Sequence, residues 1–267
     1  MKYIKKEKLD EFKLDRANMY VVIDFDKTIT AADSEDSWDA TGRKLSEKFK
    51  KDIDDLYEKY RPIEIDYKMS FKKRYKLMEN WYNECMDLYY TYNLTKQKLV
   101  EAVNTSDLKF REGAKEFLKD MYENNIPVII MSAGIGNTIE LFLKKNDSLY
   151  DNIYIISNFI KFDDNGNMEK FKEEITHSMN KNLKHNLPNY FKEEIEKRKY
   201  SLLLGDVLED SKMIPEEQLK NTITINFLNE NIEKNLEKCK ENFDIVLTKE
   251  DGSFKTVKEL VLNKITM

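Results

Sequence analysis

Cysteine and histidine are almost missing from this chain. Its 267 residues hold two of each, and Cys85 and Cys239 stand far apart in unrelated contexts. Neither cysteine has the spacing of a metal ligand, so a reduced, cytoplasmic protein is expected. With His177 and His185 the whole histidine supply, a zinc site is not expected. No apolar run approaches the ~20 residues that cross a bilayer. The charged start MKYIKKEKLDEF has no apolar core behind it, so no signal peptide is expected either. An excess of one charge is lacking too: 45 Lys and Arg are interleaved with 50 Asp and Glu, for a net charge of −5. Interleaving of that kind describes solvated helix faces rather than a nucleic-acid patch. No repeat period stands out.

What is present is enough apolar material for a core. The hydrophobic fraction is 40% and the aromatic fraction 12%, which excludes a disordered chain. The length allows one full α/β domain and a smaller one beside it. The most informative stretch is MYVVIDFDKTIT, residues 19–30. Tyr20-Val21-Val22-Ile23 reads as a strand buried on both faces. It runs into Asp24 and Asp26, which point the same way if the chain stays extended. Ligands of open α/β sheets bind at the carboxyl ends of strands. Two close carboxylates repel unless a cation neutralises them or a proton is shared, so a divalent metal, acid–base chemistry or both are expected.

Residues 1–18 read as a short amphipathic helix leading into that strand. Residues 31–107 show no strong strand run, and apolar and aromatic residues recur at helical spacing over 42–61 and 70–90. This is expected to be a helical insertion of small-domain size. Strand and helix then alternate: helix 111–124, strand 126–131, helix 137–145, strand 153–157, helix 190–199, strand 201–204, strand 222–227, helix 232–241 and strand 243–248. Between them, 159–162 and 168–171 flank Asp163-Asp164-Asn165-Gly166, a hairpin signal. Such alternation predicts an α/β, Rossmann-like, mostly parallel sheet covered by helices. The insertion, between the first strand and the next core helix, belongs over the two acids, where a lid would sit.

Two further strand ends carry useful chemistry. Strand 126–131 runs into Ser132-Ala133-Gly134-Ile135-Gly136, which offers a hydroxyl and backbone N–H groups to an anion. A plain tight turn would look the same, and a dinucleotide fingerprint fits poorly because Ile139 stands where a third glycine belongs. Strand 201–204 runs into Gly205-Asp206-Val207-Leu208-Glu209-Asp210. An acid just past a buried strand is costly unless it meets a cation, and Gly205 lets the backbone approach closely.

In order, Asp24-Phe25-Asp26-Lys27-Thr28, Ser132, Lys181 and Gly205-Asp206 with Asp210 resemble the motifs of the haloacid dehalogenase superfamily of phosphohydrolases. The insertion resembles that superfamily's first-position cap. The likeness extends to cytosolic 5′-nucleotidase III, the pyrimidine 5′-nucleotidase family, through Pro62-Ile63-Glu64-Ile65-Asp66, Trp81-Tyr82, the SAGIG run, Ser157-Asn158-Phe159, Phe162-Asp163, Gly166, His177 with Asn180-Lys181, and Asp244-Ile245-Val246-Leu247. Asn80 stands directly before the aromatic pair, where that family tends to have Glu.

The resemblance implies a haloacid dehalogenase-like core over 1–30 and 108–267 with a helical cap domain over 31–107. It implies Mg²⁺-dependent hydrolysis of nucleoside 5′-monophosphates through an aspartyl phosphate. Asp24 would be the nucleophile and Asp26 the acid and base. Mg²⁺ would be held by Asp24, the Asp26 carbonyl, Asp206 and Asp210. Thr28, Ser132, Ala133, Gly134 and Lys181 would serve the phosphate, and Trp38, Trp81 and Tyr82 would be candidates for stacking on a nucleobase. Partners would be a small nucleotide or phosphate ester, with no nucleic acid and no membrane, on a monomer or weak homodimer. Other readings are a phosphatase for another small phosphate ester, a nucleoside phosphotransferase, and a phospho-accepting signalling module. The acid at Asp26 and the large insertion speak against the last.

Overall fold

A computed structural model describes residues 2–11, 15–66, 68–182 and 187–262. Seven strands form one sheet: β1 (Lys2–Ile4), β2 (Met19–Ile23), β3 (Val128–Ile135), β4 (Ile153–Asn158), β5 (Tyr200–Gly205), β6 (Thr222–Leu228) and β7 (Ile245–Thr248). Their order is β1-β7-β6-β5-β2-β3-β4. Every pairing is parallel except that of β1 with β7. The sheet grows outward from β2 to β3 and β4, then the chain returns to β5 on the other side of β2 and grows to β6 and β7. That reversal makes a topological switch point, where such sheets bind ligands.

All five residues of β2 are buried, and the strand shows why a continuous apolar run is needed there. Met19, Val21 and Ile23 join Val128, Ile130, Leu202 and Leu204 in a core on one face. Tyr20 and Val22 join Ile129, Met131 and Leu203 in a core on the other. Alternate residues of each strand thus fill opposite layers. The first layer is closed by α6 (Ala114–Glu123), α7 (Gly136–Lys145) and α10 (Phe254–Leu260), the second by α8 (Asn189–Glu196) and α9 (Ile232–Asn242).

Between β2 and α6 come four α-helices among the described residues: α2 (Ser37–Gly42), α3 (Glu47–Glu64), α4 (Phe71–Thr91) and α5 (Lys96–Thr105). Three start on a side-chain cap, with Asp36, Ser46 and Thr95 accepting from the N–H groups of Asp39, Phe49 and Lys98. The insertion is not sealed off from the sheet. Phe49, Met86, Tyr89, Leu99 and Val103 belong to the larger core, while Tyr60, Met78, Trp81 and Cys85 form a smaller cluster with Met179.

Two local expectations need correction. The first 18 residues are not one helix: β1 adds to the sheet edge, and a short helix follows at Lys6–Glu11 (α1). Tyr3 pairs in register with Val246 there, and an open edge rewards a strand over a lone amphipathic helix. The hairpin shrinks to one bridge, Phe162 with Met168. Asp163 does form the turn, accepting from the N–H groups of Asn165 and Asn167, and Gly166 takes φ +80°. The second arm then pairs with the α4–α5 connection: Met168 N–H donates to Leu94 and Lys96 N–H to Gly166. His185 lies outside the described residues.

Candidate active site

The three central strands reach the site in register, β3 continuing past the other two to Ile135. Ile23 lies opposite Ile130 of β3 and Leu204 of β5, so Asp24, Ser132 and Asp206 emerge side by side. The Asp24 N–H still donates to Leu204, at 3.0 Å. The chain then turns sharply, with Lys27 at φ 58°, a left-handed conformation that a side chain adopts at some cost. Buried Arg111 holds this turn from below. Its Nε donates to the Thr28 carbonyl at 2.9 Å, and its Nη2 donates to the Lys27 carbonyl and to Asn229 Oδ1. Burial brings the guanidinium down to about 10, with Asp206 opposing.

Lys181 sits between two acids. Its Nζ lies 2.8 Å from Asp24 Oδ1 and 2.5 Å from Asp210 Oδ1, and all three side chains are buried. The other Asp210 oxygen accepts from the N–H groups of Asp206 and Val207, at 2.9 and 3.1 Å. Gly205 makes room for this carboxylate: a Cβ there would stand 2.4 Å from Asp210 Cβ. Asp24, Asp206 and Asp210 bring one carboxylate oxygen each to within 4.8 Å of one another. Burial raises the Asp24 carboxyl to about 6, although Lys181 pulls it down. Asp206 is raised well above the usual carboxylate range, by burial and then by Asp24 and Asp210. For Lys181, burial favours the neutral amine, but Asp210 and Asp24 outweigh it and hold the charge firmly. Three carboxylates facing one ammonium leave two negative charges in excess. Like charges ~4 Å apart repel by about 4 kcal/mol at an effective dielectric of 20, so this donor set suits a hard divalent cation.

The carboxyl-terminal end of β3 is anchored by its carbonyls. Asn158 Nδ2 donates to Ala133 and Gly134, Ser157 Oγ donates to Gly134, and Trp38 Nε1 donates to Ala133 at 3.2 Å. Ser132 Oγ accepts from Gly134 N–H at 3.0 Å. Asn158 also pairs both ways with the backbone of Thr176, which ties this strand end to the segment carrying Lys181. In that segment Asn180 Oδ1 accepts from His177 N–H, and His177 Nδ1 accepts from Met179 N–H. His177 is thus a buried structural histidine.

These groups open into a cavity of about 710 Å³. Every residue singled out from the sequence lines it except Thr28 and Asp210, which lie buried behind the wall. The aromatic candidates differ from one another. Trp38 stacks on Tyr89, with centroids 5.9 Å apart, and meets Tyr82 edge-on at 5.5 Å. Trp81 already stacks on Tyr60 at 5.8 Å and is nearly buried in the insertion's own cluster. The cavity lining also carries Asp36, Asp39 and Asp54, with Glu64, Glu209 and Glu230, against the cations Lys27, Arg61 and Lys234.

Asp26 faces the cavity, and burial with Asp36 nearby raises its carboxyl to about 8. Both its oxygens are met by Ser37. The sequence reading quoted Asn158 only within the family likeness, with no role, and did not single out Ser37, Arg111 or Asn229. Asn229 carried a usable signal, being the first residue past β6, and its Nδ2 donates to the Lys27 carbonyl at 2.9 Å. Ser37 carried a weaker one, as a hydroxyl at the start of a helical pattern.

Comparison with known proteins agrees with this geometry. The family model described as pyrimidine 5′-nucleotidase (UMPH-1) matches residues 36–266. A 7-methylguanosine phosphate-specific 5′-nucleotidase A of Xenopus laevis is 36% identical over 211 residues, covering 78% of this chain and 72% of that protein. The 7-methylguanosine phosphate-specific 5′-nucleotidase of Homo sapiens is 32% identical over 210 residues, covering 78% of this chain and 69% of that protein. Among solved structures, cytosolic 5′-nucleotidase IIIB bound to cytidine superposes with a TM-score of 0.79 at 28% identity, over 97% of this chain and 90% of that one. A phosphoserine phosphatase captured as a phospho-aspartyl intermediate analogue shares the fold, with a TM-score of 0.59 at 15% identity, over 91% of this chain and 98% of that one. No helix among the described residues is long and apolar enough to cross a membrane. The chain belongs to the pyrimidine 5′-nucleotidase (UMPH-1) family, a family of phosphatases with the haloacid dehalogenase-type fold.

Proposed function

We propose that this protein hydrolyses nucleoside 5′-monophosphates to nucleoside and phosphate in the cytosol, with residues 31–107 acting as a cap over a core of 1–30 and 108–267. The observation that carries this reading is the Asp24–Lys181–Asp210 arrangement at the foot of a cavity with Trp38 and Tyr82 on its wall. A nucleoside monophosphate has one end for each: a dianion for the charged foot and a flat base for the aromatic wall.

A carboxylate oxygen of Asp24 attacks phosphorus. The P–O5′ bond breaks, its electron pair stays on O5′, and Asp26 supplies the proton that makes this oxygen a neutral alcohol. Water then attacks the aspartyl phosphate and gives a proton to Asp26. The P–O bond to Asp24 breaks, inorganic phosphate leaves, and both acids return to their starting states. The raised carboxyl of Asp26, at about 8, suits a group that must hold a proton near neutrality. Lys181, the Ser132 hydroxyl and the N–H groups of Ala133 and Gly134 bind and orient the phosphoryl oxygens, and Thr28 braces the loop from beneath. Asp24, Asp206, Asp210 and the Asp26 carbonyl would hold Mg²⁺, whose charge would neutralise the carboxylates and draw electron density from the phosphoryl group.

A cationic base is favoured by the excess of acids over cations in the cavity lining. Asp36, Asp39 and Asp54 share it with Trp38 and Tyr82, and a ring bearing a fixed positive charge stacks well on an indole. 7-Methylguanosine monophosphate has such a base; CMP and UMP do not. Phosphate release from CMP, UMP, GMP and 7-methyl-GMP, with and without Mg²⁺, tests both levels. Release from no nucleotide would refute the activity, and a preference for CMP over 7-methyl-GMP would refute the cationic-base reading. Asp24→Asn should abolish turnover while the fold persists by circular dichroism.

A further inference from the structure

We propose that Ser37 is a positioning residue for proton transfer, clamping the carboxylate of Asp26 from the inserted segment. The proposal rests on the reading of Asp26 as the acid that protonates the leaving oxygen. One residue supplies both donors: Ser37 N–H lies 2.7 Å from Asp26 Oδ1, and Ser37 Oγ lies 2.6 Å from Asp26 Oδ2. Two donors from a single residue hold the plane of a carboxylate as well as its place.

The hydroxyl has a donor to spare for Asp26. Ile135 N–H, which can only donate, points at the same Ser37 Oγ from 3.3 Å. That contact takes an acceptor lone pair and leaves the single O–H for Asp26. Nor is the hydroxyl needed by its own helix, because Asp36 provides the cap of α2. The seat is built around the contact. Ser37 is fully buried. A Cβ on Gly134 would stand 2.0 Å from Ser37 Oγ and 2.7 Å from Asp26 Oδ2, so only glycine fits there. The Ser37 carbonyl accepts from Thr41 Oγ1 at 2.7 Å, and Thr41 Oγ1 meets Thr138 Oγ1 of α7 at 2.5 Å. Trp38 Nε1 adds the bond to Ala133. The start of α2 is therefore fastened to the carboxyl-terminal end of β3, and through Ser37 it sets where Asp26 stands relative to that end.

The chemistry gives a readout that a purely structural role would not move. The sugar O5′ leaves as a strongly basic alkoxide and needs the proton. A p-nitrophenolate is a weak base and leaves with little help. General acid catalysis contributes about 10²- to 10⁴-fold, and a mis-set acid forfeits part of it. Ser37→Ala should lower kcat on a nucleotide by about 10- to 100-fold, change KM by less than about 2-fold, and lower kcat on p-nitrophenyl phosphate by less than about 3-fold. In an Asp26→Asn background the same change should have almost no further effect on the nucleotide, since the group being positioned is gone. Equal losses on both substrates, or a full additional loss in the Asp26→Asn background, would overturn the proposal. If Ser37→Ala does not fold, Ser37→Cys keeps the volume with a weak donor and carries the same comparison. Should the wild type cleave no nucleotide, glycerol phosphate against p-nitrophenyl phosphate makes the alkoxide test by itself, so the two readings fail separately.

Discussion

Arg74 of α4 and Glu209, one residue before Asp210, form an ion pair at 3.0 Å with side chains only 7% and 11% exposed. It links the insertion to the loop that carries Asp206. Burial raises the Glu209 carboxyl, and Arg74 is the leading cation holding it down. Breaking a buried pair from one side strands the other charge, at about 3–5 kcal/mol, whereas replacing both partners with neutral groups of similar size is often close to neutral. Arg74→Met should therefore destabilise the protein by about 3 kcal/mol at pH 8. The loss should be smaller at pH 5, where Glu209 can take a proton and cease to be a buried charge. Arg74→Met with Glu209→Gln should recover most of it, giving a coupling energy of about 2 kcal/mol. Lys76–Glu79 in the same helix, 67% and 35% exposed, is a built-in control: exposed pairs are worth ~0–1 kcal/mol, and Glu79→Gln should leave the transition in place. The assay is urea unfolding, without metal and at both pH values, of the wild type, Arg74→Met, Glu209→Gln, the double variant and Glu79→Gln. A coupling energy below about 0.5 kcal/mol would refute the reasoning, and so would a single mutant no worse at pH 8 than at pH 5.

Other outcomes follow from the site and the core. Asp24, Asp26 and Asp206 keep their protons longer in the folded than in the unfolded state; without metal, stability should fall as pH rises from about 4 through about 8. Mg²⁺ at ~100 times its Kd adds about 2.7 kcal/mol, a rise of roughly 5–10 °C in Tm by calorimetry at pH 8, and no rise would remove the metal from the carboxylate cluster. Trp38→Ala should raise KM for the nucleotide by about 5- to 100-fold, the equivalent of ~1–3 kcal/mol of stacking, and leave KM for p-nitrophenyl phosphate nearly unaltered. Burial pushes the Cys85 and Cys239 thiols up to about 12 and 11; neither should react with a disulfide reagent at pH 8 until denaturant is added.

The strands were readable because burial on both faces makes β2, β3 and β5 mostly apolar runs, with Ser132 and Ser201 the buried serines among them. The acids were readable because each follows such a run directly. β1 was not, since three residues, Lys2–Ile4, carry no period of their own and gain their form from the exposed edge of β7. The second arm of the expected hairpin was misplaced because its partner, the connection before α5, is some 70 residues away in sequence. The motifs name Asp24, Asp206, Asp210, Ser132 and Lys181, which the fold groups around one cavity, but give no role to the groups that hold them. Arg111, Asn158 and Ser37 act by bonding to backbone carbonyls or to another side chain across the fold. A polar residue of that kind looks like any other until the chain is folded.

The reversal of strand order at β2 has a consequence for how the chain reaches its native state. The β2 strand ends at Ile23, its first neighbour begins only at Val128 and its second at Tyr200. At translation rates of roughly 5–20 residues per second, β2 waits on the order of 10 s for β3 and longer for β5. Through that interval its five apolar residues have no partner in the sheet, an exposed segment of the kind chaperones shield. The pairing is non-local, so folding should be slow compared with that of a helical bundle. Asp24, Lys181 and Asp210 can meet only after β5 has docked against β2. Acquisition of ligand affinity would therefore report the docking of β5 on β2 and date that step within assembly.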